Sequence, residues 1–302
     1  MNSVYRIALD AMSGDHGIAV TIPAALQAIR MCDDVVLTLV GDETQIRTAL
    51  EGQAGAESGR LHIHHASQIV NMDEPPAQAL KKKKDSSMRV SIDLVKQGHA
   101  DAAVSAGNTG ALMATGRFVL KMLPGIDRPA ICTALPSEHG HTHMLDLGAN
   151  VDSSAEHLYQ FAVMGSELVK AIDDNPSPKV GLLNIGQEAI KGNEQVKAAN
   201  QLLSNSHLNY LGYVEGDGIF LEDFDVIVCD GFVGNVALKT TEGLAKMISQ
   251  RLKRQYKQTL FSKLAAVVSL PVLNAFRKGV DPRRYNGASL LGLQGIIIKS
   301  HG

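Results

Sequence analysis

Apolar positions along this chain fall into short β-branched runs separated by stretches with helical spacing. Arg6–Leu9, Val35–Val40, Ala102–Val104, Val180–Leu183 and Asp225–Cys229 read as strands, and Ile22–Met31, Ser87–Gln97, Thr109–Met122, Ala155–Ile172 and Glu188–Leu203 read as helices. Alternation of this kind predicts an α/β protein with a mostly parallel, helix-covered sheet. In such folds ligands collect at the carboxyl ends of the strands. The clearest punctuation, Asp173 to Pro178, either ends a helix or separates two sub-lobes of a single domain spanning 1–302.

Three strand ends share one grammar, in which an apolar run breaks into a Gly/Asn turn and restarts as a helix. They are Ala102–Met113, Leu183–Gly186 and Val228–Asn235. A turn of this type presents backbone amides to an anion, and three converging turns point to a phosphate-handling enzyme. In the first, Ser105 and Thr109 offer hydroxyls and Asn108 a carboxamide, while Gly107 and Gly110 permit close approach of the backbone. In the second, Asn184, Gly186 and Glu188 precede Lys191, which is expected in the first turn of a helix. A cation there is opposed by the helix dipole, and a bound anion would offset that cost. In the third, Asp230, Gly234, Asn235 and Lys239 bring a carboxylate, a glycine, an amide and an ammonium to a strand-to-helix junction.

Two further segments repeat the theme. In Leu9–Gly17, Asp10, Gly14 and Asp15 follow a strand, and the carboxylates either orient a donor or cap the next helix. Asp146 and Asn150 follow the apolar pair Met144-Leu145. Asn108, Lys191 and Asn235 are the candidate catalytic groups and the others candidate phosphate or substrate ligands. His139, His141 and His143 show no partner carboxylate, so an exposed hairpin is expected there rather than a metal site.

Composition narrows the field. The 302 residues are 45% hydrophobic and carry a formal net charge of -2, enough apolar material for a large core and too little positive charge for a nucleic-acid binder. Three scattered cysteines and an opening that runs directly into a strand suggest a reducing cytoplasm. Lys81–Lys84 reads as a solvated helix face. Residues 251–284 hold nine Lys or Arg against one acid, Asp281, around the apolar stretch Leu264–Leu273. That stretch is too short and interrupted to span a bilayer. It fits a helical hairpin at a dimer interface, in the headgroup region of an anionic membrane, or both.

No Gly-x-x-x-x-Gly-Lys-Ser/Thr loop, Gly-x-Gly-x-x-Gly fingerprint or Gly-x-Ser-x-Gly elbow occurs. A nucleophile that arrives already anionic needs no activated side chain. Phosphate attacking a thioester is such a case, and amides, lysines and backbone N–H groups suffice for it.

As a set, Asp10–Asp15, Ser105–Met113, Asp146–Asn150, Asn184–Gly192, Asp230–Asn235 and Tyr285–Ala288 through Ile298–Gly302 resemble the motifs of the bacterial phosphate acyltransferases, or acyl-ACP:phosphate transacylases, of phospholipid synthesis. The resemblance runs essentially end to end. It implies a three-layer α/β/α Rossmann-like fold related to phosphotransacetylases and isopropylmalate dehydrogenases, and a homodimer without cofactor or required metal. It also implies transfer of a long fatty acyl group from acyl carrier protein to inorganic phosphate. The acyl-phosphate product would feed a membrane glycerol-3-phosphate acyltransferase, placing the protein in the cytoplasm at the inner face of the membrane and favouring the membrane reading of 251–284. An acidic carrier protein would dock on Lys81–Lys84 or on the basic 251–284 region. The resemblance adds His301 to the substrate-binding set.

Three departures from the family pattern stand out. Ser13 replaces a common Gly, Gln187 replaces a common Glu, and the chain stops at Gly302 where relatives continue with a helix, so fraying of His301 is expected. The rival readings are a short-acyl, coenzyme A-dependent phosphotransacetylase and a non-catalytic membrane-associated scaffold of lipid enzymes. A dehydrogenase is the weakest alternative.

Overall fold

The structure is a computed structural model that describes residues 4–280 and 287–300. His301 and residues 281–286, part of the basic segment and of the Tyr285–Ala288 motif, lie outside the described residues. The chain divides into two compact units, Met1–Pro129 with Gly287–Gly302, and Ala130–Asn286.

The first unit runs β1 (Tyr5–Asp10), α1 (Ile18–Met31), β2 (Val35–Gly41), α2 (Glu43–Leu50), β3 (Leu61–His65), α3 (Pro76–Lys82), α4 (Ser87–Lys96), β4 (Ala102–Ser105) and α5 (Thr109–Leu120). The second runs β5 (Ala130–Ser137), β6 (Gly140–Leu145), α6 (Ala155–Ile172), β7 (Val180–Leu183), α7 (Glu194–Ser204), β8 (Tyr210–Val214), α8 (Gly218–Leu221), β9 (Val226–Val228), α9 (Gly231–Lys257) and α10 (Leu260–Val280). The chain then returns to the first unit with β10 (Ala288–Leu291) and β11 (Ile296–Lys299).

In the first unit the strand order is β3-β2-β1-β4-β11-β10, all parallel except the β10–β11 pair. Alternate residues of its strands serve opposite faces. Leu37 and Leu39 pack with Ile22, Leu26 and Ile29 of α1 and Ile46 of α2, whereas Ala8 and Val40 pack with Leu94 of α4. Helices therefore cover both faces, and this unit is a three-layer sandwich. In the second unit the order is β5-β6-β9-β7-β8, with only β5–β6 antiparallel. There α6 lies so close to the sheet that a Cβ at Gly165 would stand 2.7 Å from Val226 Cγ1 and 2.9 Å from Leu145 Cδ1. The expected mostly parallel α/β architecture is what the chain adopts.

Several boundaries differ from expectation for local reasons. Helix α1 starts at Ile18, four residues early, because the Thr21 hydroxyl anchors its first turn to the Ala11 carbonyl at 2.6 Å. Helix α7 starts at Glu194, not Glu188. Gly192 takes a left-handed φ of 89° that ends the preceding turn, and Asn193 caps the helix by accepting from Val196 N at 2.8 Å. Lys191 thus lies in a turn before the helix, and the argument from an opposing helix dipole does not apply to it. The segment from Asp173 to Pro178 ends α6 inside the second unit. Lys83, part of the expected solvated lysine face, instead reaches the Ile69 carbonyl at 2.9 Å.

The His139–His143 stretch does form a hairpin, with Pro136 opposite His141 and Ala134 opposite His143. It is not fully exposed and it does have a partner carboxylate. His143 is buried, and both His141 and His143 meet Asp173, at 3.1 Å each. Burial pulls the His143 imidazole below its ordinary value, against the opposing pull of Asp173.

Helices α9 and α10 account for the basic, apolar segment. After Gly234 no described residue of either is buried, and Phe261, Leu264, Val268 and Val272 are exposed. Among the described residues no helix is long and apolar enough to cross a membrane.

Candidate active site

In the first unit the carboxyl ends of β1 and β4 lie side by side, because the two strands pair in parallel with Leu9 opposite Val104. Asp10, fully buried at the end of β1, accepts from the Ser105 hydroxyl at 2.7 Å. Ser13 Oγ lies 3.2 Å from Ser105 Oγ, and Gly107 N–H donates to Ser105 Oγ at 3.1 Å. The other Asp10 oxygen, Oδ1, is buried and has no hydrogen-bond partner among the described residues. Burial raises the Asp10 carboxyl above the usual carboxylate range, opposed by the neighbouring hydroxyls of Ser87, Ser105 and Ser13. Of the two roles open to the first carboxylates, Asp10 takes that of orienting a donor. Gly17 caps α1 without any side-chain bond, and Asp15 is exposed beside Gly14, whose φ is 90°.

Asn108 caps α5. Its Oδ1 accepts from Ala111 N at 3.0 Å, and its Nδ2 donates to the carbonyls of Met72 at 2.7 Å and Glu74 at 3.0 Å. The carboxamide is therefore occupied in holding the 72–74 loop against the helix start. Helix geometry leaves the amides of Thr109 and Gly110 without an intrahelical acceptor, which is what an anion site needs. Asn108→Ala is expected to cost about 2 kcal/mol, the upper end for a helix cap, since the loop contacts go with it. A denaturant midpoint equal to that of the wild type would show that the carboxamide has no such structural role.

Strand β11 places a cation here that the sequence reading did not single out. Lys299 pairs in register with Ser105, and its Nζ donates to the carbonyls of Ala106, at 3.3 Å, and Ser300. Its signal in the sequence is the same as elsewhere, an apolar run, Ile296–Ile298, ending in polar residues.

In the second unit, β6 and β9 pair in parallel, and each is followed within two residues by a carboxylate, Asp146 and Asp230. Asp146 is fully buried and saturated: Oδ1 accepts from Ile131 N at 2.9 Å and Ala149 N at 3.1 Å, and Oδ2 from Asn150 N at 2.7 Å and Asn150 Nδ2 at 2.9 Å. Burial raises its carboxyl, and those four bonds counter the rise. Asp230 caps α9 through Phe232 N at 2.9 Å and holds Ser153 N at 2.8 Å. These two acids shape the loop from Asp146 to Asn150 and dock the start of α9 on it. A Cβ at Gly234 would stand 1.9 Å from the Asp146 carbonyl oxygen, and one at Gly231 would stand 2.2 Å from that of Asn150. Asn235, exposed on the same turn of α9, faces Gly148, where a Cβ would lie 3.3 Å from its own. Among the described residues the Asn235 carboxamide has no hydrogen-bond partner.

At the end of β7, Asn184 Nδ2 donates to the carbonyls of Gly186 at 3.0 Å and Lys191 at 3.4 Å, closing the turn. Lys191 is half exposed, 4.0 Å from Glu188. Lys239 is exposed and pairs with Glu242 at 3.0 Å. Cys229 is buried, its thiol raised by burial and directed at the Asp146 carbonyl, so it packs as a small apolar residue rather than acting as a nucleophile.

The glycines have a common explanation. The space a side chain would need is filled at Gly107 by Met88 Cε, 2.7 Å away, at Gly110 by Pro76 Cγ, 2.8 Å away, and at Gly186 by Glu188 Oε2, 2.7 Å away. At Gly110 the neighbour is a rigid proline ring, whereas at Gly107 and Gly186 it is the end of a flexible side chain that can give way.

Comparison with known proteins gives the family. A family model described as "Fatty acid synthesis protein" matches residues 5–302. The chain is 63% identical over 296 residues to a protein named phosphate acyltransferase from Methylococcus capsulatus, covering 98% of this chain and 87% of the relative. It is 62% identical over 302 residues to the protein of that name from Alkalilimnicola ehrlichii, covering 100% and 88%. The chain belongs to the phosphate acyltransferase family. Membership makes it an acyltransferase of lipid synthesis. Among solved structures, a phosphotransacetylase from Streptococcus pyogenes superposes with a TM-score of 0.61 at 18% identity, covering 80% of this chain and 82% of its own. A 4-hydroxythreonine-4-phosphate dehydrogenase from Klebsiella pneumoniae does so at 0.52 and 11%, covering 100% and 90%. At such identities the likeness is one of fold.

Proposed function

We propose that this phosphate acyltransferase moves a long-chain acyl group from acyl carrier protein to inorganic phosphate. A phosphate oxygen attacks the thioester carbonyl carbon to form a C–O bond. The tetrahedral oxyanion then collapses, the C–S bond breaks, and the carrier thiol leaves as thiolate and takes up a proton. No side-chain nucleophile takes part. The observation that carries the phosphate reading is the start of α5, where helix amides, the oriented Ser105 and the Lys299 ammonium stand at one strand end. Ser105, Gly107, Thr109 and the turn from Asp10 through Gly14 to Asp15 are assigned to phosphate, with Asn108 shaping the cradle.

In the second unit Asn235 is assigned as an oxyanion or phosphate donor and Lys191 as a charge partner. Asp146, Asn150, Asp230 and Gly234 position them, and Asn184, Gly186, Glu188 and Lys239 act as supporting groups, with His301 retained on the family resemblance. Exposed apolar residues and nearby lysines and arginines on α9 and α10 support peripheral contact with an anionic membrane on the cytoplasmic side. There a homodimer would hand acyl-phosphate to a membrane glycerol-3-phosphate acyltransferase.

Thiol release from palmitoyl-ACP and from acetyl-CoA, each with and without phosphate, tests the reading. Phosphate-dependent release from palmitoyl-ACP alone is expected. Release from acetyl-CoA alone would make the protein a short-acyl enzyme, and release from neither would favour a scaffold.

A further inference from the structure

His141 and His143 alternate along β6 and so present their rings on one face of the hairpin. Thr142 between them points the other way and donates to the Phe224 carbonyl at 2.8 Å. The two rings meet edge to face, with centroids 5.0 Å apart. Each Nε2 stands 3.1 Å from the same oxygen, Asp173 Oδ2, and the three ligand atoms all lie within 4.8 Å of one another.

Asp173 occupies the C-cap of α6, with its own N–H bonded to the Val169 carbonyl at 3.0 Å. A carboxylate at a helix C-terminus is opposed by the helix dipole, so an adjacent cation relieves the local field.

We propose that His141, His143 and Asp173 form a binding site for one divalent transition-metal ion of borderline softness, of the zinc type. Two imidazoles and a carboxylate are the donor set such ions take. Tetrahedral zinc with bonds of about 2.0–2.1 Å sets its ligand atoms about 3.3 Å apart, close to the nitrogen–oxygen separations seen here. Binding replaces the Nε2–H bonds to the carboxylate with metal–nitrogen and metal–oxygen bonds, and the displaced ring protons move to Nδ1 or to water.

The surroundings suit that role. His143 is buried, and its Nδ1 lies 4.0 Å from Cys132 Sγ. That contact at Nδ1 orients the ring and leaves Nε2 facing Asp173. The His141 side chain is 34% exposed, giving an ion access from solvent and leaving room for water as a fourth ligand. The site lies within the second unit, toward the opposite end of β6 from Asp146, with His143 about 10 Å and His141 about 17 Å along the strand by its rise per residue. It ties the end of α6 to the β5–β6 hairpin, and a bound ion is expected to stabilise this unit without entering the acyl transfer.

The test uses the tag-free 302-residue chain stripped with a chelator and titrated with zinc(II) alone by calorimetry, and with cobalt(II) followed by its visible absorption. One ion per chain, micromolar affinity, a tetrahedral cobalt spectrum and a saturable rise in melting temperature are expected. His141→Gln and Asp173→Asn should each weaken binding by more than the roughly 10- to 100-fold that outer partners contribute. His139→Gln, in the same hairpin but outside the cluster, should bind as the wild type does. Circular dichroism and acyl-transfer activity of the metal-free variants report whether they are folded. Absence of stoichiometric binding in the wild type, or equal binding by folded His141→Gln and Asp173→Asn, overturns the proposal.

Discussion

Replacing Gly234 with alanine is expected to lower the melting temperature by about 6–12 °C and to abolish acyl transfer. In an ordinary helix interior this exchange stabilises by up to about 1 kcal/mol, because alanine restricts the unfolded chain and glycine does not. Here the new Cβ would lie 1.9 Å from the Asp146 carbonyl oxygen and 2.8 Å from Cys229 Sγ. A backbone oxygen cannot rotate away as a side chain can, and Asp146 is held by four hydrogen bonds. The start of α9 must therefore move off the loop, carrying Asn235 with it. Overpacking of this kind costs about 3 kcal/mol, which for a unit of this size corresponds to the stated shift. Gly243→Ala in the same helix is the matched control. Nothing lies within 4 Å of its added Cβ, so the ordinary stabilising sign should return. Thermal melts of the two variants side by side decide the matter, and an unshifted Gly234→Ala would refute the close docking of α9.

Asn235→Ala should do the reverse, lowering kcat by about 100- to 1,000-fold, the effect of losing one preset oxyanion donor, while leaving the melt within about 0.5 kcal/mol of wild type. The expectation follows from the contrast between the two candidate carboxamides. Asn108 makes three internal hydrogen bonds, so its removal disturbs the fold as well as any chemistry. Asn235 is exposed and has no partner among the described residues, so its carboxamide is available to a ligand. Phosphate-dependent thiol release from palmitoyl-ACP, measured beside thermal melts, separates the two kinds of loss. Wild-type turnover by Asn235→Ala would remove it from the catalytic set.

Much of this was legible in local chemistry. A β-branched run followed by Gly, Asn or Asp and then helical spacing marks a strand end: β7 ends where that pattern placed it, and β1, β4 and β9 end within one residue of it. Helix α6 matched at both ends because Ser154 supplies a capping box at its start and Asp173 closes it. At α7 the local signal outranks apolar periodicity: Gly192-Asn193 is a stop followed by a cap, and the helix starts after it.

Local chemistry thus specifies which segments become strands, turns and helices, since propensity, capping and turn geometry act over a few neighbouring residues. Roles that depend on what lies opposite a residue come only with the folded chain. Lys299 meets Ala106 across 193 positions, and Asp173 meets His141 across 32. The glycine at 234 is required by the Asp146 carbonyl, an atom brought there by helix docking. Burial works in the same way. It turns Asp10 and Asp146 from ordinary acids into fixed acceptors, because desolvation and converging donors exist only once the strand ends have been assembled.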